Sequence, residues 1–298
     1  MATLYTHKDS NIRKTWLLMS VFFIVVMAIG WVFSAVYRAP EILWFAVIFS
    51  IVMNITSYWF SDTLVIKMSG AKSVSDALYP DLYNAVENLS ITAGIQMPRL
   101  YIIEDPAPNA FATGRDPKHA AIAVTTGLLK IMNRTELEGV LAHELSHIGN
   151  RDMLVSTVAV VLVGFVTLLS DFFLRVSMYG GRDRDSRISG IIIIAGFILA
   201  LLSPIIATLI QLAVSRKREF LADASGALLT RYPEGLASAL EKIGAYSRPM
   251  MRANHATAHL FISNPFGATD HGKGVGFLTR LFMTHPPLQD RISALTGK

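Results

Sequence analysis

Cysteine is absent from the sequence, and charged residues are scarce. Without cysteine the chain forms no disulfide and offers no thiolate to a metal, so any zinc ion must be held by imidazole and carboxylate groups. Charged residues make up 16% of the 298 residues, whereas a soluble domain contains about a quarter. Together with a hydrophobic content of 52%, this deficit argues against an ordinary soluble protein and indicates an integral membrane protein.

The basic character of the chain is compatible with two kinds of partner. Its net charge is +5 and its pI is near 9.4, which would suit a nucleic acid. In a membrane protein, however, an excess of lysine and arginine is typical of the cytoplasmic flanks of the spans. We therefore predict the lipid bilayer as a partner and no nucleic acid.

Four apolar runs contain no charged residue and are long enough to cross a bilayer, which requires about 20 helical residues. They predict transmembrane helices over residues 15–37, 42–60, 153–170 and 188–215. The chain then divides into a tail with a first helical hairpin (1–60), the first part of a polar domain (61–152), a second hairpin (153–215) and the second part of that domain (216–298). The alternative, that the third and fourth runs are buried helices of a soluble core, conflicts with their lack of charge over such lengths.

Basic residues beside the first and fourth spans predict the orientation. Lys8, Arg13 and Lys14 precede the first span, and the basic residues 216–218 follow the fourth. The positive-inside rule assigns both groups, the N-terminus and both parts of the polar domain to the cytoplasm. The loop between the third and fourth spans favours the opposite orientation, because it carries four arginines that three aspartates balance only partly.

The polar domain has a mixed pattern of secondary structure. Apolar residues recur at helical spacing over residues 80–93 and 233–246, and a short helix is predicted to follow Pro287. Residues 100–103 and 120–125 are β-like. We therefore predict a mostly α membrane protein with an α+β domain that contains a small β-sheet.

A further helix, predicted over residues 135–148, carries the pattern that indicates chemistry. It starts with a threonine followed three residues later by a glutamate, which is typical of a capping box. His143 and His147 are four residues apart and therefore project from one face, where both imidazoles can bind one zinc ion. Glu144 is off that line and can take a proton from the water that attacks a peptide carbonyl. The alternative is a pair of solvent-facing histidines, which the apolar residues around them disfavour.

A catalytic zinc site uses three protein ligands and keeps one position open. Glu219 and Asp223 follow the fourth predicted span and are also four residues apart. We predict Glu219 as the third ligand and Asp223 as the acceptor that fixes a ligand histidine in one tautomer. The alternative is a charged turn at the membrane surface, in which the basic residues 216–218 pair with these carboxylates. The hairpin formed by the third and fourth spans favours the metal site, because it would return Glu219 to the side on which His147 lies.

The segment from His143 to His147, the run from Glu219 to Asp223 and the four-span layout closely resemble the HtpX family of bacterial membrane-bound zinc proteases, which is related to the CAAX prenyl endopeptidases. The stretches Asn109–Gly114 and Thr284–Arg291 extend the resemblance to essentially the whole chain. The resemblance implies a multi-pass protein of the bacterial inner membrane with a gluzincin-type domain, one Zn²⁺ per chain and a site that faces the cytoplasm. It also implies cleavage of misfolded or damaged membrane proteins in envelope quality control, alongside the ATP-dependent membrane protease FtsH.

The same resemblance suggests an edge strand for substrate recognition. Adding a substrate strand to a sheet edge uses backbone hydrogen bonds and tolerates varied sequences. The residues expected to form this edge are Asn109, Ala110, Phe111 and Ala112. An ordinary loop after two nearby prolines is the alternative.

The closing motif supplies candidates for the donor that stabilises the oxyanion of the attacked carbonyl. They are His285 and Arg291. His285 precedes two prolines and would equally suit a loop residue without a role.

Two other functions are compatible with parts of this pattern. An intramembrane protease would carry its HExxH within an apolar span, but here glutamates and the polar residues 150–152 surround the motif. A transporter or a scaffold with a structural metal is the second alternative. The four spans contain no charged residue, which argues against transport, and a purely structural zinc would not need Glu144.

Overall fold

The computed structural model describes residues 4–162, 164–165, 216–253, 257–267 and 286–297. The described part is mostly helical with one small mixed sheet. The predicted span at 188–215, the end of the third span at 166–170 and His285 lie outside the described residues.

A helical hairpin opens the chain. Helix α1 covers Leu4–Tyr37 and helix α2 covers Glu41–Trp59, so α1 begins earlier than the apolar run at residue 15 indicates. Within them, Ser10–Ala35 and Glu41–Trp59 are long and apolar enough to cross a membrane. The 19 residues of α2 extend about 28 Å at 1.5 Å per residue, which is close to the thickness of a hydrocarbon core. Two of the four predicted spans are therefore present as candidate membrane helices.

The sheet has four strands in the order β1, β2, β4, β3. They cover Lys72–Ser73, Arg99–Ile103, Ala110–Thr113 and Ala121–Thr125 in chain order. Strands β2 and β4 are parallel, whereas β1 on β2 and β3 on β4 are antiparallel. Strand β3 is thus an edge strand, as expected, and β1 was missed because two residues show no periodicity.

Seven further helices are described around this sheet and after it. They are α3 (Ser61–Ser69), α4 (Pro80–Ala93), α5 (Thr126–Ile131), α6 (Arg134–Gly149), α7 (Met153–Leu162), α8 (Arg216–Thr230) and α9 (Pro233–Ala245). A short helix, α10 (Leu288–Thr296), closes the described chain. Helices α4, α9 and α10 match their predictions to within about a residue.

Helix α6 begins one residue before the predicted start, with a different capping box. The side chain of Asn133 accepts from the backbone N–H of Glu136, and the carboxylate of Glu136 accepts from the backbone N–H of Asn133. The predicted pair of Thr135 and Glu138 is therefore wrong, because Glu138 instead pairs with Arg134 at 2.9 Å. Both possibilities satisfy the residue pattern of the motif, and only the backbone conformation distinguishes them.

The sheet lies between two apolar clusters. The face with Ile122 and Val124 packs against α4, α6 and α9. The opposite face, with Phe111 and Ala123, packs against α3 and Phe261. Helix α6 is thus buried between the sheet and α9, which explains why most of its residues are inaccessible.

Close approach of α6 and α9 depends on a glycine. A Cβ atom on Gly139 would lie 2.7 Å from the backbone nitrogen of Leu236, closer than two such atoms can pack. The resulting rigid contact fixes the helix that carries the two histidines against the rest of the domain.

Candidate metal centre

Helix α6 brings the two predicted histidines together. The Nε2 atoms of His143 and His147 lie 3.2 Å apart, and their rings meet edge to face at 4.7 Å between centroids. His143 is 1% exposed, and the side chain of His147 retains 16% exposure. Both rings therefore direct the same nitrogen, Nε2, toward one point.

Helix α8 supplies the predicted carboxylate. The Oε1 atom of Glu219 lies 3.7 Å from Nε2 of His147, and its Oε2 atom lies 3.8 Å from Nε2 of His143. Close packing of α8 on α6 depends on Gly226, where a Cβ atom would lie 3.0 Å from the backbone nitrogen of His143. A larger residue there would push Glu219 away from the histidines.

The three groups fit a zinc ion. Their ligand atoms all lie within 4.8 Å of one another. Two ligands that are each about 2.1 Å from a tetrahedral zinc are about 3.4 Å apart, and the observed separations of 3.2–3.8 Å bracket that value. Two imidazoles with one carboxylate are also a donor set that catalytic zinc sites use.

Asp223 contacts Nδ1 of His143, the first of the two histidines, as predicted. Its Oδ1 atom lies 2.9 Å from Nδ1 of His143, on the side of the ring away from Glu219. A carboxylate at Nδ1 keeps the proton on that nitrogen and leaves Nε2 free for a metal.

Arg291 in turn holds Asp223. Its Nε and Nη2 atoms donate to the two carboxylate oxygens at 2.8 and 2.7 Å, and Nη1 donates to the carbonyl of Ile262 at 3.2 Å. Burial raises the pKa of Asp223, but the bonds from Arg291 and His143 outweigh it and lower that pKa to about 2. Arg291 is itself wholly buried. Arg291 therefore holds Asp223, and its Nη1 atom also lies 3.8 Å from Oε2 of Glu219. Its role as an oxyanion donor stays a prediction.

The second histidine has its own carboxylate, which the sequence did not reveal. The Oδ2 atom of Asp152 lies 3.4 Å from Nδ1 of His147, and the Asp152 backbone N–H donates to the His147 carbonyl at 3.0 Å. Asp152 follows α6 after a turn in which Arg151 has a φ of 56°. In the sequence it is simply one of several polar residues after the motif, and the only available signal was its position five residues after His147.

The two histidines have opposite pKa shifts. Burial lowers the pKa of His143 to about 4, and the bond to Asp223 only partly offsets that effect. Burial also disfavours the charged form of His147, but the bond to Asp152 and the charge of Glu219 outweigh it and raise that pKa to about 9. Because a metal binds only neutral imidazole, metal binding near neutral pH must displace a proton from His147.

Glu144 lies beside this cluster and is 2% exposed. Burial raises the pKa of its carboxyl group to about 7, and the charge of Glu219 adds to this while His147 opposes it. The backbone N–H of Ala112 on strand β3 acts in the opposite direction and slightly lowers this pKa. Glu144 is therefore a buried carboxylate whose pKa is near neutral, which suits a general base.

Strand β3 forms one edge of the described sheet. Just before β3, the carbonyl of Asn109 accepts from the backbone N–H of Thr125, the last residue of β4, and the Asn109 N–H donates to the Thr125 hydroxyl. The backbone groups of Ala110 and Ala112 therefore point outward. The carbonyl of Ala110 already accepts from the N–H of Ile262 at 2.9 Å. The chain thus occupies one end of the edge that was predicted to bind substrate.

The side chain of Asn109 is engaged at the same end. Its Nδ2 atom donates to the carbonyl of Ser263 at 3.0 Å, and its Oδ1 atom accepts from the Ser263 N–H at 3.3 Å. Phe111 is fully buried and packs edge to face on Phe261. Of the four residues predicted for substrate pairing, Ala112 is the one whose backbone N–H affects the pKa of the candidate base.

Most of the chain is similar to known proteins of one peptidase family. Residues 77–298 match the model of Peptidase family M48. A Protease HtpX homolog of Caldanaerobacter subterraneus is 45% identical over an alignment of 300 positions, and the match covers 98% of this chain and 97% of that protein. A Protease HtpX homolog of Thermoanaerobacter pseudethanolicus is 46% identical over 300 residues, with the same coverage.

Among solved structures, the chain is similar to the crystal structure of Ste24p from S. mikatae, with 20% identity and a TM-score of 0.49. The match covers 95% of this chain and 66% of that chain. The family match spans both halves of the cluster, since His143, His147 and Glu219 all lie within residues 77–298. The chain belongs to peptidase family M48 and, within it, to the HtpX group of membrane metalloendopeptidases.

Proposed function

We propose that this metalloendopeptidase uses zinc to cleave misfolded or damaged membrane proteins at the cytoplasmic face of the bacterial inner membrane. The observation that carries the proposal is the cluster of His143, His147 and Glu219, whose ligand atoms lie within 4.8 Å of one another beside Glu144. Such a group is what zinc-dependent peptide hydrolysis requires.

The chemistry follows from the places of the side chains. Zinc, when bound by His143, His147 and Glu219, supplies a Lewis acid that polarises the peptide carbonyl and eases the deprotonation of water. Glu144 accepts the proton of the attacking water and returns it to the departing amine. Asp223 and Asp152 hold the two imidazoles in the tautomer that exposes Nε2.

The shape of the site supports an extended substrate. His143, Glu144 and Glu219 are each less than 10% exposed, so a folded surface cannot reach them. An unfolded segment can add to the outer edge of β3, and it would pair at Ala112, because the carbonyl of Ala110 is already bonded. Selectivity for misfolded proteins then follows from the need for an extended backbone.

We propose the predicted four-span topology, with the N-terminus and the peptidase domain in the cytoplasm. Asn11, at the start of the apolar part of α1, donates to Asp152 at 2.7 Å. That contact supports a common side of the membrane for the beginning of α1 and the end of α6. The domain boundaries at residues 60, 152 and 215 belong to the same proposal. The functional link to FtsH that the family resemblance implies is also part of this proposal.

The function is tested with a matched pair of substrates. The purified chain in detergent with zinc is given a membrane protein and a destabilised variant of it that differs by one core substitution. We expect cleavage of the destabilised form at cytoplasmic segments, loss of cleavage with a chelator, and recovery with added zinc. Equal cleavage of both substrates, or cuts confined to their membrane spans, would contradict the quality-control role.

The topology is tested with single cysteines, for which a chain without cysteine needs no prior substitution. Lys118 in the peptidase domain and Glu41, the first residue of α2, are both exposed, and Arg184 lies between the predicted third and fourth spans. In spheroplasts, an impermeant maleimide should label Glu41→Cys and Arg184→Cys without lysis and Lys118→Cys only after lysis. Labelling of Arg184→Cys only after lysis would show that residues 153–215 do not cross the membrane. Labelling of Lys118→Cys before lysis would show that the peptidase domain lies outside the cytoplasm.

A further inference from the structure

The two ligand histidines are held in the same way by different parts of the chain. Each directs Nε2 toward Glu219 and Nδ1 toward an aspartate, which is Asp223 for His143 and Asp152 for His147. Asp223 lies on α8 and is held by Arg291 near the C-terminus. In the second pair, His147 with Asp152, the aspartate has a partner in a different part of the chain.

Asp152 is held by the first helix of the chain. The Nδ2 atom of Asn11 donates to Oδ1 of Asp152 at 2.7 Å across 141 residues of sequence. Asn11 is 3% exposed and Asp152 is 4% exposed, so water does not compete for this bond. The charges of Lys14 and Arg218 also act on Asp152. One carboxylate oxygen thus faces α1, and the other faces the histidine.

Apolar packing keeps α1 in register with this contact. Leu18, two turns after Asn11, is 1% exposed and packs with Val155 and Ala159 of α7. Phe22 packs with a second group on α7 that includes Leu154 and Val158. A shift of α1 along its axis would break these contacts and the bond to Asp152 together.

We infer that Asp152 is a positioning residue for the metal ligand His147, and that Asn11 makes the membrane helix α1 part of the metal centre by fixing Asp152. A carboxylate at Nδ1 selects the tautomer that leaves Nε2 available to a metal. Without Asn11 the carboxylate can rotate away from the imidazole. The inference rests on the proposed zinc site and adds that metal affinity depends on the place of a membrane helix.

The test measures zinc affinity of the full-length protein in detergent by competition with a chromophoric chelator. Asp152→Asn should raise the zinc dissociation constant roughly 10- to 100-fold, the range for lost partners of ligand histidines. Asn11→Leu should weaken binding in the same direction by a smaller factor. The double variant should bind no more weakly than Asp152→Asn alone, because Asn11 acts through Asp152. The visible spectrum of the cobalt-substituted protein at saturation should change in Asp152→Asn, which general loosening of the fold would not cause.

The matched control is Asn54→Leu, the same substitution on α2 at a residue that takes no part in the contacts described above. It should keep the parental affinity. Parental affinity in Asp152→Asn, a double-variant loss equal to the product of the single losses, or an equal loss in Asn54→Leu would each overturn the inference. If Asp152→Asn does not fold, the zinc affinity of Asn11→Leu provides the test by itself. Parental affinity in that variant would overturn the role of α1. A parent chain that binds no zinc would instead overturn the proposed function.

Discussion

Glu144→Gln is expected to lower the rate of peptide hydrolysis by roughly 10²- to 10⁴-fold, the usual contribution of a general base, while the protein keeps its zinc. The amide has the size of the carboxylate but cannot accept the proton of the attacking water. Glu144 is not one of the three clustered ligand groups, so its replacement leaves them in place. The measurement is cleavage of unfolded casein by the purified variant, together with its zinc content by elemental analysis.

The control for this prediction is Glu138→Gln on the same helix. Glu138 pairs with Arg134 at the start of α6 and does not contact the cluster, so its variant should cleave at the parental rate. Cleavage by Glu144→Gln at that same rate would mean that another group is the base. If neither variant nor the parent cleaves although each holds one zinc, a scaffold role or a strictly membrane-embedded substrate would be indicated instead.

Glu219→Ala is expected to remove both zinc and activity. A zinc site with four ligands binds with about 10–16 kcal/mol, so one ligand contributes on the order of 2.5–4 kcal/mol. Its loss should therefore weaken zinc binding roughly 10²- to 10³-fold. The variant also removes the carboxylate that lies 3.7 and 3.8 Å from the two histidines. Zinc content after dialysis against a weak chelator measures the effect, and casein cleavage at saturating zinc reports what activity remains.

Glu241→Ala is the matched substitution for this second prediction. Glu241 is exposed on α9, away from the cluster, and its variant should retain the zinc of the parent. A Glu219→Ala protein that keeps parental zinc affinity would exclude Glu219 as a ligand. Retained zinc without activity would instead assign Glu219 to the chemistry and leave the third ligand open.

Much of the local structure could be predicted because it depends on short-range patterns. The i, i+4 spacing of His143 and His147 places both on one face of any α-helix, and the structure has them 3.2 Å apart. The edge position of β3 was also expected. The capping box of α6 was misassigned, because Asn133 with Glu136 and Thr135 with Glu138 both fit the motif, and the helix start depends on the turn that precedes it.

Contacts between distant segments could not be predicted in this way. The sequence placed Asp223 correctly because its spacing from Glu219 is local. It could not show that Arg291 holds Asp223, because this bond joins α10 to α8 across 68 residues of sequence. Nor could it show that residues 262 and 263 occupy one end of β3.

The sequence by itself indicated the membrane character, the HExxH helix and Glu219 as the carboxylate that joins the two histidines, because composition, helical periodicity and spacing are properties of neighbouring residues. Tertiary structure alone decided how the histidines are held. Asn11 and Asp152 are 141 residues apart, and nothing in their local surroundings marks them as partners. They meet because α1 packs along α7, and in a buried site each polar group must find a partner from whichever segment the fold brings near.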